Sequence, residues 1–311
     1  MKDGRSIVLI TGGRGFVGRH LAPVLARDGW IVRRVVRHPS SDGNDVVIGS
    51  IGPDTDWSAA LEGVDAVVHL AAHVHRPRSE RDTGLYSAVN TEGTLNLARC
   101  ADRVGVRQFV FVSTVLVHGR SSDRRARFSE RDVPTPEGPY GTSKAAAEAG
   151  LQNLAQGSDM RITVIRPPLV YGSGAKGNFS LLLRAVRRGI PLPFASIDNR
   201  RAFLSVDNLA SFISMRLSTQ GEKFDVFLLA DAEQVSTPDF VRKLAKAAGA
   251  KPRLFPMPVF LLRGLLTISG REQARDGLIG SLELDLSKAA STGWRPSVTM
   301  DEALLRAVTD S

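Results

Sequence analysis

Short apolar runs alternate with stretches of helical spacing through the first half of the chain. Ile7-Val8-Leu9-Ile10 runs into Thr11-Gly12-Gly13; it is too short for a helix and reads as a strand buried on both faces. From Phe16 to Arg27, the residues Val17, Leu21, Val24 and Leu25 share one helical face, with Pro23 expected to bend the helix or leave one carbonyl to water. Further strands are expected at Trp30–Val36, Val46–Ile48, Ala66–Leu70, Gln108–Val112 and Ile162–Ile165, and helices around Trp57–Leu61, Thr91–Val104 and Tyr140–Leu154. Such alternation implies a mainly parallel, doubly wound α/β sheet covered on both faces. After Arg166-Pro167-Pro168 the pattern loosens and prolines punctuate shorter elements. Two domains are expected, 1–171 and a smaller 172–311, with 201–218 returning to pack on the first.

Composition narrows the function classes. One cysteine, Cys100, excludes an intramolecular disulfide and a Cys-rich zinc site. No stretch approaches about 18 uncharged apolar residues, so no membrane partner is expected. Met1 to Ser6 leads into a strand without the apolar core of a signal peptide, which points to the cytoplasm. The net charge of +9 rests on 33 Arg and 8 Lys, a balance that suits nucleic acid, a membrane surface or an anionic substrate. The Arg residues are spread along the chain, and the one local cluster, Arg120 to Arg127, is diluted by Asp123. Nucleic acid is therefore not expected. Solvated faces and the steering of an anionic small molecule remain.

Thr11-Gly12-Gly13-Arg14-Gly15-Phe16-Val17-Gly18 carries Gly12, Gly15 and Gly18 at GxxGxxG spacing between a strand and a helix. Glycine there permits a tight turn and lets the backbone approach a pyrophosphate, which free helix N–H groups then favour. An ordinary tight turn is the alternative, and the strand–helix context weighs against it. The motif makes the first domain a Rossmann dinucleotide-binding candidate. After the second strand the chain reads Arg37-His38 with no acid, so Arg37 is a candidate for the 2′-phosphate of NADP; a plain surface Arg is the competing reading.

Tyr140-Gly-Thr-Ser-Lys144 places a phenol and an ammonium on one helical face. A free Tyr titrates near 10, and a neighbouring Lys charge together with an adjacent nicotinamide ring is expected to lower it toward useful acid–base work. Val112-Ser113-Thr114, after an apolar strand, offers a hydroxyl to share a substrate oxygen with Tyr140. His69, His73 and His75 lack metal-ligand partners, so no metal is expected, and His69 reads as a structural residue at a sheet end.

With Gly12/Gly15/Gly18, His69-Leu70-Ala71-Ala72, Asn90-Thr-Glu-Gly93-Thr, Ser113-Thr114, Tyr140/Lys144, Arg166-Pro167-Pro168-Leu-Val-Tyr171-Gly172, Asp285-Leu-Ser287-Lys288 and Gly293-Trp294-Arg295-Pro296, the chain resembles the extended short-chain dehydrogenase/reductases. More narrowly it resembles the NAD-dependent epimerase/dehydratase family acting on nucleotide sugars, over nearly its whole length. The resemblance implies NAD or NADP held by Gly12, Gly15, Phe16, Val17, Gly18, Arg37, Ala71, Tyr140 and Lys144. It implies Tyr140 as general acid/base, Lys144 as its modulator and ribose ligand, and Thr114, rather than Ser113, as the substrate hydroxyl anchor. Asn178 and Arg201 match residues that hold the nucleotide diphosphate of a UDP-sugar. Phe194 is placed against the uracil, a core role being equally open. The family's 4,6-dehydratases carry Asp-Glu after the catalytic Thr, where this chain has Val115-Leu116. Members that epimerise beside a ketone use a Cys, and Cys100 lies far from the motifs in sequence. Hydride chemistry at C4 remains: a 4-keto-sugar reductase similar to UDP-N-acetylquinovosamine dehydrogenases, or a UDP-glucose or UDP-N-acetylglucosamine 4-epimerase. A non-catalytic NADP-sensing regulator on the same fold is the reading from another class. A homodimer through the helices near Thr91–Val104 and Tyr140–Leu154 is also implied.

Overall fold

A computed structural model describes residues 6–38, 43–74, 83–123, 125–268 and 272–309. The first half runs β1 (Ile7–Thr11), α1 (Phe16–Arg27), β2 (Ile31–Val36), β3 (Asp45–Val47), α2 (Ser58–Leu61), β4 (Ala66–His69), α3 (Thr83–Tyr86), α4 (Gly93–Arg103), β5 (Gln108–Val112), α5 (Gly138–Gln156) and β6 (Arg161–Arg166). There follow β7 (Leu169–Tyr171), α6 (Asn178–Arg187), β8 (Phe203–Ser205), α7 (Val206–Ser218), β9 (Phe224–Leu228) and α8 (Thr237–Ala247). The last helices are α9 (Val259–Ile268), α10 (Glu272–Ile279), α11 (Ser287–Ser291) and α12 (Met300–Thr309).

The chain divides into two compact units. The first holds residues 1–118, 133–166 and 210–227; the second holds 119–132, 167–209 and 228–311. Strands in the order β3-β2-β1-β4-β5-β6-β9 form one sheet, and every pairing from β3 to β6 is parallel. This is the doubly wound Rossmann arrangement that the alternation of runs predicts. The sheet is apolar because crossover helices cover it: Leu9, Val67, Phe109 and Val164 are buried in one cluster with Trp57 and Leu151. Helix α1 continues through Pro23, whose side is exposed.

Helix α4 is preceded by a π-helical turn over Ser87–Glu92. Such turns insert one extra residue and occur frequently at functional sites. Here it carries Asn90, fully buried. Asn90 Nδ2 donates to the His73 carbonyl (3.0 Å) and to Ser143 Oγ (3.0 Å), and its Oδ1 accepts from the His73 amide (2.7 Å). One side chain thereby ties the segment after β4 to α5.

In the second unit β7 and β8 pair in parallel. Phe240 of α8 stacks on Phe203 (4.0 Å between centroids) and meets Tyr171 edge-on (5.6 Å). The buried Asp231 accepts from the Tyr171 hydroxyl (2.7 Å), the Ser205 amide (3.0 Å) and Asn208 Nδ2 (2.7 Å). Burial raises its carboxyl, against those three donors.

Candidate active site

The loops after β1, β4 and β5 leave the carboxyl ends of adjacent strands in the first unit, the end at which open α/β sheets hold ligands. Gly12 has φ of +66°, a region that side chains disfavour, and a Cβ there would lie 3.0 Å from the Ala71 amide nitrogen. A Cβ on Gly18 would come within 2.6 Å of the backbone of Gly12 and Gly13. Helix α1 starts immediately after Gly15, which offers no side-chain cap to the first-turn amides. A tight glycine turn, a close backbone approach and uncapped N–H groups fit a pyrophosphate. Phe16 and Val17 are partly buried in that first turn. The amides of Leu70 and Ala71 both donate to Thr11 Oγ1 (3.2 Å each), which fixes the facing loop. Arg37 stands exposed beyond β2.

Gly13 is a requirement that the triplet spacing does not reveal. A Cβ there would sit 2.9 Å from the Arg34 side chain. Arg34 in turn pairs with Asp45 (2.7 Å), which also receives Arg14 (3.2 Å).

Helix α5 begins with Gly138 and Pro139 and buries Gly141, Lys144, Ala147, Glu148, Leu151 and Ala155, a three-and-four spacing that forms one face. Tyr140 is partly buried in its first turn. A Cβ on Gly141 would be 3.0 Å from the Leu116 carbonyl oxygen, so the helix start lies directly against the turn that follows Thr114. The buried Thr114 hydroxyl accepts from the Leu116 amide (3.2 Å), which leaves its own proton to donate. Ser113 Oγ instead donates to Glu148, inside a buried network. That difference distinguishes the two hydroxyls physically.

Lys144 is buried, and its Nζ donates to the Val112 carbonyl (2.9 Å) while lying 4.3 Å from the centre of the Phe111 ring. Burial pulls its ammonium down to about 7, with Glu148 acting in the opposite direction. The Tyr140 phenol moves the other way: burial, with Tyr86 adding to it, pushes it up to about 12. The expected lowering of Tyr140 by Lys144 is therefore not what the structure displays. Burial of the phenol dominates, and Lys144 is not among the groups that move it.

Beneath the pair lies a cluster that the sequence reading did not single out. Glu148, one turn beyond Lys144, receives Arg166 Nη2 at 2.6 Å and Nε at 3.0 Å, with both side chains 6% exposed. Arg166 Nη1 contacts His118 Nε2 at 2.8 Å. His69 bonds Thr11 Oγ1 (2.6 Å) and Thr94 Oγ1 (3.0 Å), stacks on Phe111, and is driven down to about 3 by burial, with Lys144 contributing. It is a neutral structural histidine. His73 lies edge-on to Tyr86 at 4.7 Å, while His75 lies outside the described residues.

The remaining candidates belong to the second unit. Asn178 is exposed as the first residue of α6, after Gly177 at φ +74°. Phe194 is buried. Arg201 is buried, and its Nη1 donates to the Asp276 carbonyl (3.0 Å) and to the Gly280 carbonyl. Burial lowers it to about 10, against Asp123 and Asp276, so it stays charged at neutral pH. Arg201 thus supports the end of α10 whatever else it binds. Cys100 sits on α4, its Sγ donating to Asn96 Oδ1 (3.5 Å) and accepting from Arg103 Nη2 (3.0 Å).

Residues 8–230 match the family model of the NAD dependent epimerase/dehydratase family. A UDP-glucose 4-epimerase of Vibrio cholerae is 38% identical over 95% of this chain and 92% of its own length. A GDP-6-deoxy-D-mannose reductase of Pseudomonas aeruginosa is 27% identical over 97% and 96%. Among solved structures, MoeE5 in complex with UDP-glucuronic acid and NAD superposes with a TM-score of 0.79 at 26% identity, covering 98% of both chains.

Proposed function

The chain belongs to the NAD dependent epimerase/dehydratase family, and from that premise we propose that it transfers hydride at C4 of a UDP-hexose or UDP-N-acetylhexosamine, in the direction that reduces a 4-keto sugar. What supports the direction is the segment after β2, which reads Arg37-His38 with no acid to clamp the adenosine ribose of a retained NAD and so suits a cofactor exchanged at each turnover; Tyr140 can give its proton to the carbonyl oxygen. Gly12, Gly15, Phe16, Val17, Gly18, Ala71 and, at a 2′-phosphate, Arg37 would hold NADP or NAD, with Tyr140 and Lys144 at its nicotinamide end. The bound reduced nicotinamide supplies the hydride.

The chain's own groups then divide the remaining work. Tyr140 protonates the C4 oxygen, and Thr114 donates a hydrogen bond to the same atom, since its acceptor side already holds the Leu116 amide. Lys144, when protonated, stabilises the phenolate that is left. Asn178 and Arg201 would bind the diphosphate, where guanidinium geometry suits phosphate oxygens, and Phe194 would lie toward the uracil. The positions that would need an acid and a base for dehydration hold Val115 and Leu116, the first buried and the second partly so. Cys100, held by neighbours on its own helix, serves no proton exchange.

A 4-epimerase is the second reading, favoured by the relative from Vibrio cholerae. The two part on cofactor economy. A reductase consumes one reductant per turnover, whereas an epimerase regenerates its own. The chain is to be supplied with a UDP-4-keto-6-deoxy-N-acetylhexosamine and NADPH or NADH while the reduced-nicotinamide absorbance is followed. Stoichiometric loss supports reduction. No loss, together with interconversion of UDP-glucose and UDP-galactose without added cofactor, overturns it in favour of the epimerase.

A further inference from the structure

Lys144 and Glu148 stand four residues apart on α5, the spacing at which a helix pairs an ammonium with a carboxylate. Both are buried, which strengthens such an attraction. Yet among the described residues the Lys144 Nζ bonds the Val112 carbonyl (2.9 Å) and not Glu148, and it lies 4.3 Å from the centre of the Phe111 ring. An ammonium so placed has further N–H groups to offer. The carboxylate one turn away is kept from taking them.

Glu148 is engaged on both oxygens. Its Oε2 accepts from Arg166 Nη2 (2.6 Å) and Nε (3.0 Å), and its Oε1 from Nε (3.3 Å) and from the Ser113 hydroxyl. The two donors arrive from neighbouring strand ends. Arg166 closes β6, Ser113 follows β5, and the Ser113 amide donates to the Ile165 carbonyl (2.8 Å). The remaining arm of the guanidinium, Nη1, meets His118 Nε2 at 2.8 Å. Arginine has no acceptor, so the imidazole nitrogen accepts there. His118 ends the turn Val115–His118 that follows Thr114. A planar five-donor fork suits the task of holding a carboxylate and an imidazole together; an ammonium does not.

We propose that Arg166 and Ser113 are positioning residues for Lys144, which between them occupy both oxygens of Glu148 and so keep it from closing an ion pair with the ammonium. His118 steadies the guanidinium from its other side. Lys144 then stays over the end of β5, its other N–H groups available to the site. Burial brings it down to about 7, with Glu148 opposing only in part. The other titratable groups near Lys144 do not compete for it. Tyr140, one turn back on α5, is held protonated by burial, at about 12, and His69 on β4 is neutral, at about 3. That Lys144 serves Tyr140 rests on the hydride reading; that Glu148 is withheld from Lys144 does not.

The test reads Lys144 without turnover. In protein carrying lysine labelled with carbon-13 at Cε, Lys144 is the resonance that Lys144→Met removes, and its titration in the wild type should centre near 7. Ser113→Ala removes a neutral donor and no charge, so a change at Lys144 must pass through Glu148; the midpoint should rise by about half a unit. Arg166→Met frees both oxygens and should raise it by about 1–3 units, the effect of an opposite charge within reach. Part of that rise is the direct loss of a cation, so the same substitution in Glu148→Gln protein should give a clearly smaller one. Where Arg166→Met fails to fold, Ser113→Ala with a wild-type melting curve decides alone. In keto-sugar reduction, Arg166→Met should lower kcat by about tenfold or more, the weight of a charged hydrogen bond, and carry the alkaline limb of the pH profile upward. Absence of any reduction by the wild type would sink the C4 reading and leave the titration to judge this one. A Lys144 midpoint unmoved in Ser113→Ala overturns the proposal, as does a shift in Arg166→Met that is equally large without Glu148.

Discussion

Replacing Glu148 by Gln should destabilise the first unit far more than an ordinary surface change. Both partners of the Glu148–Arg166 pair are 6% exposed, and two charged hydrogen bonds of 2.6 and 3.0 Å join them. Gln preserves the shape and one acceptor but removes the countercharge, so Arg166 is left buried with its charge uncompensated. Breaking one side of such a pair costs about 3–5 kcal/mol. Urea unfolding followed by Trp fluorescence reads this directly, because Trp57 is buried in the same unit. The repair is equally informative. Glu148→Leu with Arg166→Met removes both charges together and should recover most of the loss, since apolar replacement of a whole buried pair is often neutral or stabilising. A Glu148→Gln protein within about 0.5 kcal/mol of wild type, the range of surface substitutions, would refute the account of the pair as desolvated and mutually compensating.

Tyr140→Phe should cut turnover by about 10²–10⁴-fold, the scale of general acid catalysis, while cofactor titration stays near wild type. Because Lys144 titrates at about 7 and Tyr140 at about 12, kcat/KM for keto-sugar reduction should fall as pH rises through about 7, as the ammonium loses its proton. In Glu148→Gln, which removes the group that holds Lys144 up, that limb should move to lower pH; a profile flat from pH 6 to 9 in the wild type would exclude Lys144 as its source. Gly18→Ala forces a methyl to within 2.6 Å of backbone atoms and should cost about 1–3 kcal/mol of overpacking together with measurable cofactor affinity in calorimetry. Arg37→Ala should weaken NADPH more than NADH, and equal small effects would make Arg37 a plain surface charge.

The first unit's strands were legible because buried parallel strands read as uninterrupted apolar runs, and the glycine loop because its spacing interrupts the change from strand to helix period. Glu148 was not legible for a physical reason. Lys144 and Glu148 stand four apart on a helix, which in sequence is the signature of a solvated ion pair, yet both are buried. Only the tertiary partner Arg166, eighteen residues on, makes that possible. Asn90 was visible as part of a motif, but its link from His73 to Ser143 was not, because a π turn shifts the helical register by one residue; Gly141 was missed because close approach to Leu116 is a property of two elements, not one. The inclusion of 119–132 in the second unit carries no local signal at all. Helix α9 was unreadable in the opposite sense: its apolar run looks like core, and only three dimensions put Phe260 and Ile268 outside.

The interleaving of the two units has a consequence for synthesis. The outer edge of β6 is covered by β9, which lies about sixty residues further along the chain. At roughly 5–20 residues per second, a nascent chain carries that edge uncovered for about 3–12 s after Arg166 has been translated. The strand is apolar, with Ile162, Val164 and Ile165 fully buried in the finished sheet, and an open apolar edge is a template for pairing with other chains. A fragment ending at residue 171 would hold this exposed state permanently and should aggregate. Cells making the protein quickly should depend on chaperones that bind extended apolar segments during that interval.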